Sequence, residues 1–98
     1  MDERFFIKTS TAKADLTIEQ KIQLNRRANE LFNSGNIELA AKIFVTTGYS
    51  DGLTRVGDYF YEKEQKLVAL KYYKLANNEK NVEILVKDLA NVVRMMMD

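Results

Sequence analysis

The side chains in this sequence that could carry out chemistry are carboxylates. Asp58 and Glu62 lie one helical turn apart, and Glu64 follows two residues later, so these acids could serve in general acid–base catalysis. The chain has no Cys and no His, which excludes a thiol nucleophile, a Cys/His zinc site and the side chain whose pKa ordinarily lies nearest neutral pH. It has no glycine-rich phosphate loop or serine nucleophile motif. Acids at these spacings are common on solvated helix surfaces, so we expect no enzyme activity, no metal and no cofactor.

Basic residues offer a second chemistry, the binding of nucleic-acid phosphates. The candidates are Lys21, Arg26 and Arg27, and further along the chain Lys63, Lys66, Lys71 and Lys74. Acidic residues are interspersed with them, and 15 basic against 14 acidic residues leave a net charge of +1. No overall field therefore attracts nucleic acid or an anionic membrane. Nucleic-acid binding is kept as the alternative to a protein-binding function.

The composition predicts an all-α protein. A chain of 98 residues, 46% hydrophobic and 30% charged, can form one hydrophobic core and is too apolar to be disordered over most of its length. It contains no Pro and four Gly, so long helices can run without interruption. Residues 1–15 lack a helical period, and we expect them to form a flexible arm that carries the apolar sequence Phe5-Phe6-Ile7. Residues 16–98 should form the helical domain.

The predicted location is the cytoplasm. The N-terminus has acidic residues where an export signal needs basic ones, and its apolar run is too short for such a signal. The apolar stretch near the C-terminus is interrupted by charged residues, whereas a membrane span needs about 20 predominantly apolar residues.

Capping signals and apolar periodicity predict five helices. Thr17 and Gln20 have the spacing of a capping box, so the first helix should begin near Thr17 and end in the turn at residues 33–36. Its apolar stripe consists of Ile18, Ile22 or Leu24, Ala28, Leu31 and Phe32. The other helices are expected from about Ile37 to Thr47, from a cap at Ser50 or Asp51 to about Glu64, from about Lys66 to Ala76, and from about Glu79 to the end. Short connections between such helices favour antiparallel hairpins.

The sequence also repeats itself at an offset of 29 residues. The matching positions in the first helix of each unit are Leu24, Leu53 and Val82, then Ala28, Gly57 and Val86, then Leu31, Phe60 and Leu89. In the second helix, Ala40 matches Ala69 and Phe44 matches Tyr73. Each unit is thus one helix pair, and the third unit consists of its first helix.

Within the second unit, the pattern Leu53-x2-Val56-Gly57-x2-Phe60 followed by Ala69-x3-Tyr73-x2-Ala76 resembles a tetratricopeptide (TPR) repeat. The resemblance implies a stack of antiparallel helical hairpins. The repeat departs from the family in its length, since TPR units have about 34 residues, and in the absence of the usual Pro. The first unit also has Arg27 and Thr47 at positions that the family usually makes apolar or small. A closed bundle of five antiparallel helices is the alternative, although such a bundle has no need of a fixed 29-residue register.

The resemblance to TPR proteins also implies a function, because that family holds peptides in a groove lined by the first helices of successive units. The corresponding groove residues here are Asn25, Asn29, Phe32, Thr54, Asp58 and Tyr61. Nearby, the run Tyr59-Phe60-Tyr61 cannot face one core, because successive helical positions are about 100° apart. At least one of these tyrosines should face outward, where its apolar ring and polar tip would suit an interface.

The fifth helix is the strongest candidate for a partner surface. Its apolar residues cover an arc of about 160°, wider than the stripe of about 100° that one packed face requires. The predicted interface residues are Leu85, Leu89, Val92, Val93 and Met96. A short repeat array is also poorly stable by itself, so we expect a homo-oligomer or a subunit of a larger protein assembly. Coverage of this helix by Phe5-Phe6-Ile7, or fraying of its last turns, is the alternative.

Overall fold

The structure, a computed structural model, describes residues 15–97, and this range is all-α, as predicted. Its five helices are α1 Ile18–Asn33, α2 Ile37–Thr47, α3 Ser50–Glu62, α4 Lys66–Leu75 and α5 Glu79–Met97. No strand occurs within that range. The expected arm with Phe5-Phe6-Ile7 lies outside the described residues.

The start of α1 is fixed by the predicted capping box. The backbone N–H of Gln20 donates to Thr17 Oγ1 over 3.1 Å, and the backbone N–H of Thr17 donates to Gln20 Oε1 over 3.0 Å. Each side chain thereby satisfies a backbone donor that has no partner within the helix. The first helix begins at the residue after Thr17 for this reason.

The same turn joins each helix to the next. Its central residue takes a left-handed conformation, with φ of 96° at Gly35, 70° at Gly48, 64° at Glu64 and 58° at Asn77. The backbone N–H of the following residue donates to the carbonyl five residues back, the hydrogen bond of a Schellman motif. These bonds run from Asn36 to Leu31 (2.8 Å), from Tyr49 to Phe44 (3.0 Å), from Gln65 to Phe60 (2.9 Å) and from Asn78 to Tyr73 (3.0 Å).

The backbone therefore repeats at the 29-residue offset seen in the sequence. Gly35 and Glu64 are 29 positions apart, as are Gly48 and Asn77, and α2 and α4 begin 29 positions apart. The third helix was expected to end near Glu64, but it ends two residues earlier, at Glu62. Glu64 takes a left-handed conformation, and the hydrogen bond from the Gln65 N–H to the Phe60 carbonyl terminates the helix. The TPR-like assignment and the stacking of hairpins stay predictions.

The chain divides into two compact units, one ending at Gly52 and the other beginning at Leu53, so the boundary falls inside α3. In the first unit, α1 packs against α2. The buried apolar side chains there are Ala28, Ile37, Ala40, Ala41 and Phe44. Two members of the predicted stripe, Ile18 and Ile22, are exposed, since they precede the part of α1 that is buried.

The second unit contains the remainder of α3 together with α4 and α5. Its core is built from Ala69, Tyr73 and Leu85, against which Phe60, Leu70, Val82 and Leu89 pack. Within residues 15–97, no helix is both long and apolar enough to span a membrane.

Candidate functional site

Three of the predicted groove residues lie on α1 in the first unit. Asn25 is half-buried, and its Oδ1 accepts a hydrogen bond from Thr47 Oγ1 over 2.6 Å. Thr47 is a buried residue at the end of α2, so the Asn25 amide ties α1 to α2. Asn29 and Phe32 are half-buried on the same helix.

The other three predicted groove residues lie on α3 in the second unit. Thr54 Oγ1 accepts a hydrogen bond from Asn78 Nδ2 over 3.3 Å, and Asp58 Oδ1 accepts one from the Tyr73 hydroxyl over 2.5 Å. Tyr61 is 39% exposed, which confirms that a tyrosine of the Tyr59-Phe60-Tyr61 run faces outward. Thr54 and Asp58 thus hold helices of their own unit together, and Tyr61 is the member of this set with an exposed large side chain.

The contact between α3 and α4 is close because Gly57 lies beneath the Tyr73 ring. A Cβ atom added at Gly57 would lie 2.6 Å from that ring, so a larger residue would displace it. Tyr73 is 4% exposed. Its burial and then its hydrogen bond to Asp58 raise the pKa of the phenol well above the ordinary value. The repeat pattern contains Gly57 and Tyr73, but the pattern gives no sign of the hydrogen bond to Asp58.

A row of aromatic rings covers one side of the α3–α4 pair. Phe60 stacks on Tyr72 with ring centroids 5.8 Å apart, and Tyr59 meets Phe60 edge to face at 5.2 Å. Lys63 Nζ lies 5.5 Å from the centroid of the Tyr59 ring, and Lys71 Nζ lies 5.4 Å from that of Tyr72. Two of the predicted phosphate-binding lysines therefore lie over tyrosine rings in the second unit.

Other predicted phosphate-binding residues are paired with acids. Lys66 Nζ lies 2.7 Å from Asp88 Oδ2, and this hydrogen bond raises the pKa of the ammonium group. Arg27 pairs with Glu30 at 3.1 Å. These pairs reduce the positive charge that the two residues could offer to a phosphate. Among residues 15–97, no cluster of three acidic side chains is placed to hold a metal ion.

The predicted interface on α5 divides into two parts. Leu85 is 1% exposed and belongs to the core of the second unit, and Leu89 is half-buried against that core. Placing Leu85 at a partner surface is therefore wrong, because the first half of α5 packs against α4 and uses this side chain to do so.

Val92, Val93 and Met96 are exposed, as a partner surface requires. They belong to residues 90–97, every one of which is exposed, and we call this segment the α5 overhang. Met97 is exposed there as well, although it is not among the predicted interface residues. The run Met95-Met96-Met97 was the available signal, since thioether side chains adapt to irregular surfaces.

The chain was compared with known proteins, and it has a relative in sequence but no match among solved structures. No family model matches the chain, and no solved structure matches it. A protein of Treponema pallidum (strain Nichols), described as uncharacterized, is 37% identical over 97 residues, which cover 98% of this chain and 93% of that protein.

Proposed function

The chain belongs to the same family as this Treponema pallidum protein, and we propose that it is a non-catalytic, cytoplasmic adaptor or assembly subunit that binds another protein chain. The α5 overhang supports this proposal most directly. It holds six apolar residues in eight positions, and all eight are exposed. A helix that is apolar around most of its circumference is ordinarily a buried helix.

The exposed side chains of the α5 overhang are large enough for their burial to stabilise a complex. Burial of one Val or Met side chain contributes about 1.5 to 3 kcal/mol. Val92, Val93 and Met96 are 43%, 55% and 80% exposed, so each gains only part of this free energy. Association with a protein surface would recover part of it, and helices of this kind commonly dock in apolar grooves or against other helices.

The carboxylates that could have served in catalysis have a different role in this proposal. Asp58 accepts a hydrogen bond from the Tyr73 hydroxyl, and this bond has a structural role. Glu62 and Glu64 are exposed at the end of α3 and in the turn that follows, where acids ordinarily interact with water. This arrangement favours a binding protein over an enzyme.

A TPR-like groove is a second surface within the same proposal. Asn25, Thr54 and Asp58 are engaged in hydrogen bonds inside their own units. Tyr61 is better placed to contact a ligand, because its ring is partly exposed and Lys66 Nζ lies 5.9 Å from the ring centroid. A peptide with an aromatic residue would suit the Tyr61 ring, because the charge of Lys66 is already paired with Asp88.

The proposal is tested by affinity capture with the full chain from an extract of its native cells, together with a measurement of the mass of the purified chain. One variant carries Val93→Lys and Met96→Lys on the overhang, and a second carries Tyr61→Ala. The matched control carries Ile84→Lys and Met95→Lys, which add the same charge to exposed positions on the opposite side of α5, at 100° per residue. A nuclease-treated sample separates proteins bound directly from those held through nucleic acid.

We expect the wild-type chain to retain a defined protein, or copies of itself, and the overhang variant to lose it while the control keeps it. Loss with Tyr61→Ala would assign the contact to the TPR-like groove. A monomeric wild-type chain that retains no protein at all would contradict the proposed function.

A further inference from the structure

The ion pair between Lys66 and Asp88 shows where α5 leaves its packing partner. Lys66 is the first residue of α4, and its ammonium lies 2.7 Å from the Asp88 carboxylate. The two helices follow one another through a tight turn and are antiparallel, so α4 ends alongside the first turns of α5 and begins alongside Asp88. The remaining nine residues extend α5 by about 13 Å beyond that point, at 1.5 Å per residue.

The α5 overhang has one uncharged face. At 100° per residue, Val92, Val93, Met96 and Met97 fall within an arc of about 140°. Leu89, one turn earlier, lies at the centre of the same arc and joins it to the core of the second unit. Arg94 and Asn91, the polar residues of the overhang, point away from this arc, as does Met95.

We propose that the occupant of this face is the same face of a second copy of the chain, so that two α5 overhangs pack together in a symmetric dimer. This inference rests on the proposed function and names the partner. A face without charges can meet its own copy with no like-charge repulsion, and Arg94 stays in water. A charged partner would gain no ion pair there. The arrangement is isologous, the commonest symmetry of soluble oligomers.

The available area agrees with a dimer of modest affinity. Val86 falls on the same arc one turn before Leu89. The exposed parts of Val86 and of the four face residues offer on the order of 500 Å² per chain, so two copies would bury about 1,000 Å², near the lower limit for a specific interface. We therefore expect association at micromolar concentration, on the order of 1 to 100 µM. The adaptable thioethers of Met96 and Met97 suit a contact that must fit its own copy.

The experiment is sedimentation equilibrium of the full chain from about 1 to 500 µM, a range set to bracket the expected constant. The test variant is Met96→Lys and the matched control is Met95→Lys. These neighbouring methionines are 80% and 74% exposed, so the two substitutions should affect folding equally little, and they differ in the face that they occupy. We expect the wild-type chain and the control to dimerise within about threefold of one another, and Met96→Lys to weaken the dimer at least about tenfold.

A mixture of two charged variants then identifies the contact as one between copies. Met96→Lys and Met96→Glu should each be mainly monomeric, and their mixture should dimerise because the two faces now carry opposite charges. A wild-type chain that stays monomeric over the whole range overturns the inference, and so does a dimer that both Lys variants weaken equally. In the first case the proposed function survives if the chain captures a different protein through the overhang, and fails if it captures none.

Discussion

The two helical hairpins, α1–α2 and α3–α4, have the same turns and equivalent apolar residues. Within each hairpin, however, a different pair of polar groups joins the two helices. At positions 29 residues apart, Ala40 and Ala69 are fully buried, and Phe44 and Tyr73 fill equivalent places. In the first hairpin the polar bond joins Thr47 to Asn25, whereas in the second it joins Tyr73 to Asp58. The apolar layer and the turns are therefore the repeated part of the structure, and each hairpin supplies its own hydrogen bond.

The largest effect is expected from Phe44→Ala. Phe44 is fully buried, and its ring occupies the space that a Cβ atom on Gly52 would need. Loss of the ring should lower the free energy of unfolding by about 3 to 5 kcal/mol, a large part of the stability of a small protein. Denaturant titration measures this loss. Ile18→Ala in the same unit is the control, because Ile18 is exposed and should change stability by less than about 0.5 kcal/mol.

The second prediction uses the small residues that differ between the hairpins. Gly57 matches Ala28 in the repeat, yet a Cβ at Gly57 would lie 2.6 Å from the buried Tyr73 ring. Gly57→Ala should therefore destabilise the protein by about 1 to 3 kcal/mol, although alanine favours helices by about 1 kcal/mol. The reverse exchange at the matching position, Ala28→Gly, should lower the free energy of unfolding by about 1 kcal/mol, because glycine loses more conformational freedom than alanine when the helix forms. A stabilising Gly57→Ala would show that the Tyr73 ring can move aside.

Much of the fold could be predicted from the sequence because its signals are local. Thr17 and Gln20 marked the start of α1, and Gly48 marked the end of α2, since each acts on the backbone a few residues away. Glu64 gave no such signal, because glutamate seldom adopts a left-handed conformation. The 29-residue offset from Gly35 carried that information, so the repeat predicts this turn better than the residue type does.

The candidate site could be predicted less well, because it depends on contacts distant in the sequence. Whether Leu85 faces a partner or the core is decided by its packing with Ala69 and Tyr73, and residue type does not show it. Asp58 is exposed, and its structural role comes from the hydrogen bond of the Tyr73 hydroxyl, 15 residues away in the sequence. Met96 is exposed, as its predicted place at an interface requires, because α5 continues beyond the first residue of α4.

The third prediction concerns the hydroxyl that distinguishes Tyr73 from Phe44. Tyr73→Phe should cost about 1 kcal/mol near pH 7, because the Asp58 carboxylate is exposed and can bind water instead. The substitution should also change how the free energy of unfolding depends on pH. A tyrosine in the unfolded chain loses its proton near pH 10, whereas the raised pKa of Tyr73 keeps the folded protein protonated. The unfolded state then binds fewer protons, so stability falls as the pH rises above about 10.

Tyr73→Phe removes this contribution, which amounts to at most about 1.4 kcal/mol per pH unit. Denaturant titrations between about pH 8 and pH 11 compare the variant with the wild-type chain, and Tyr61→Phe serves as the control because Tyr61 is partly exposed. All three proteins contain the same lysines, so a difference in slope comes from the substituted tyrosine. Equal slopes for the wild-type chain and Tyr73→Phe would mean that the phenol titrates normally.

The smallest effect is expected from the polar bond of the first hairpin. Thr47→Val keeps the shape of the side chain and removes the hydroxyl that donates to Asn25 Oδ1 over 2.6 Å. The loss should be about 0.5 to 1 kcal/mol, since the bond joins two uncharged groups and the half-buried Asn25 amide can still reach water. Thr46→Val is the matched control one position earlier. The hydroxyl of Thr46 donates to the Lys42 carbonyl within α2, so its removal should change stability by less than about 0.5 kcal/mol. Equal losses for the two variants would show that the bond to Asn25 adds nothing to the hairpin, and that the first hairpin is held by its apolar layer.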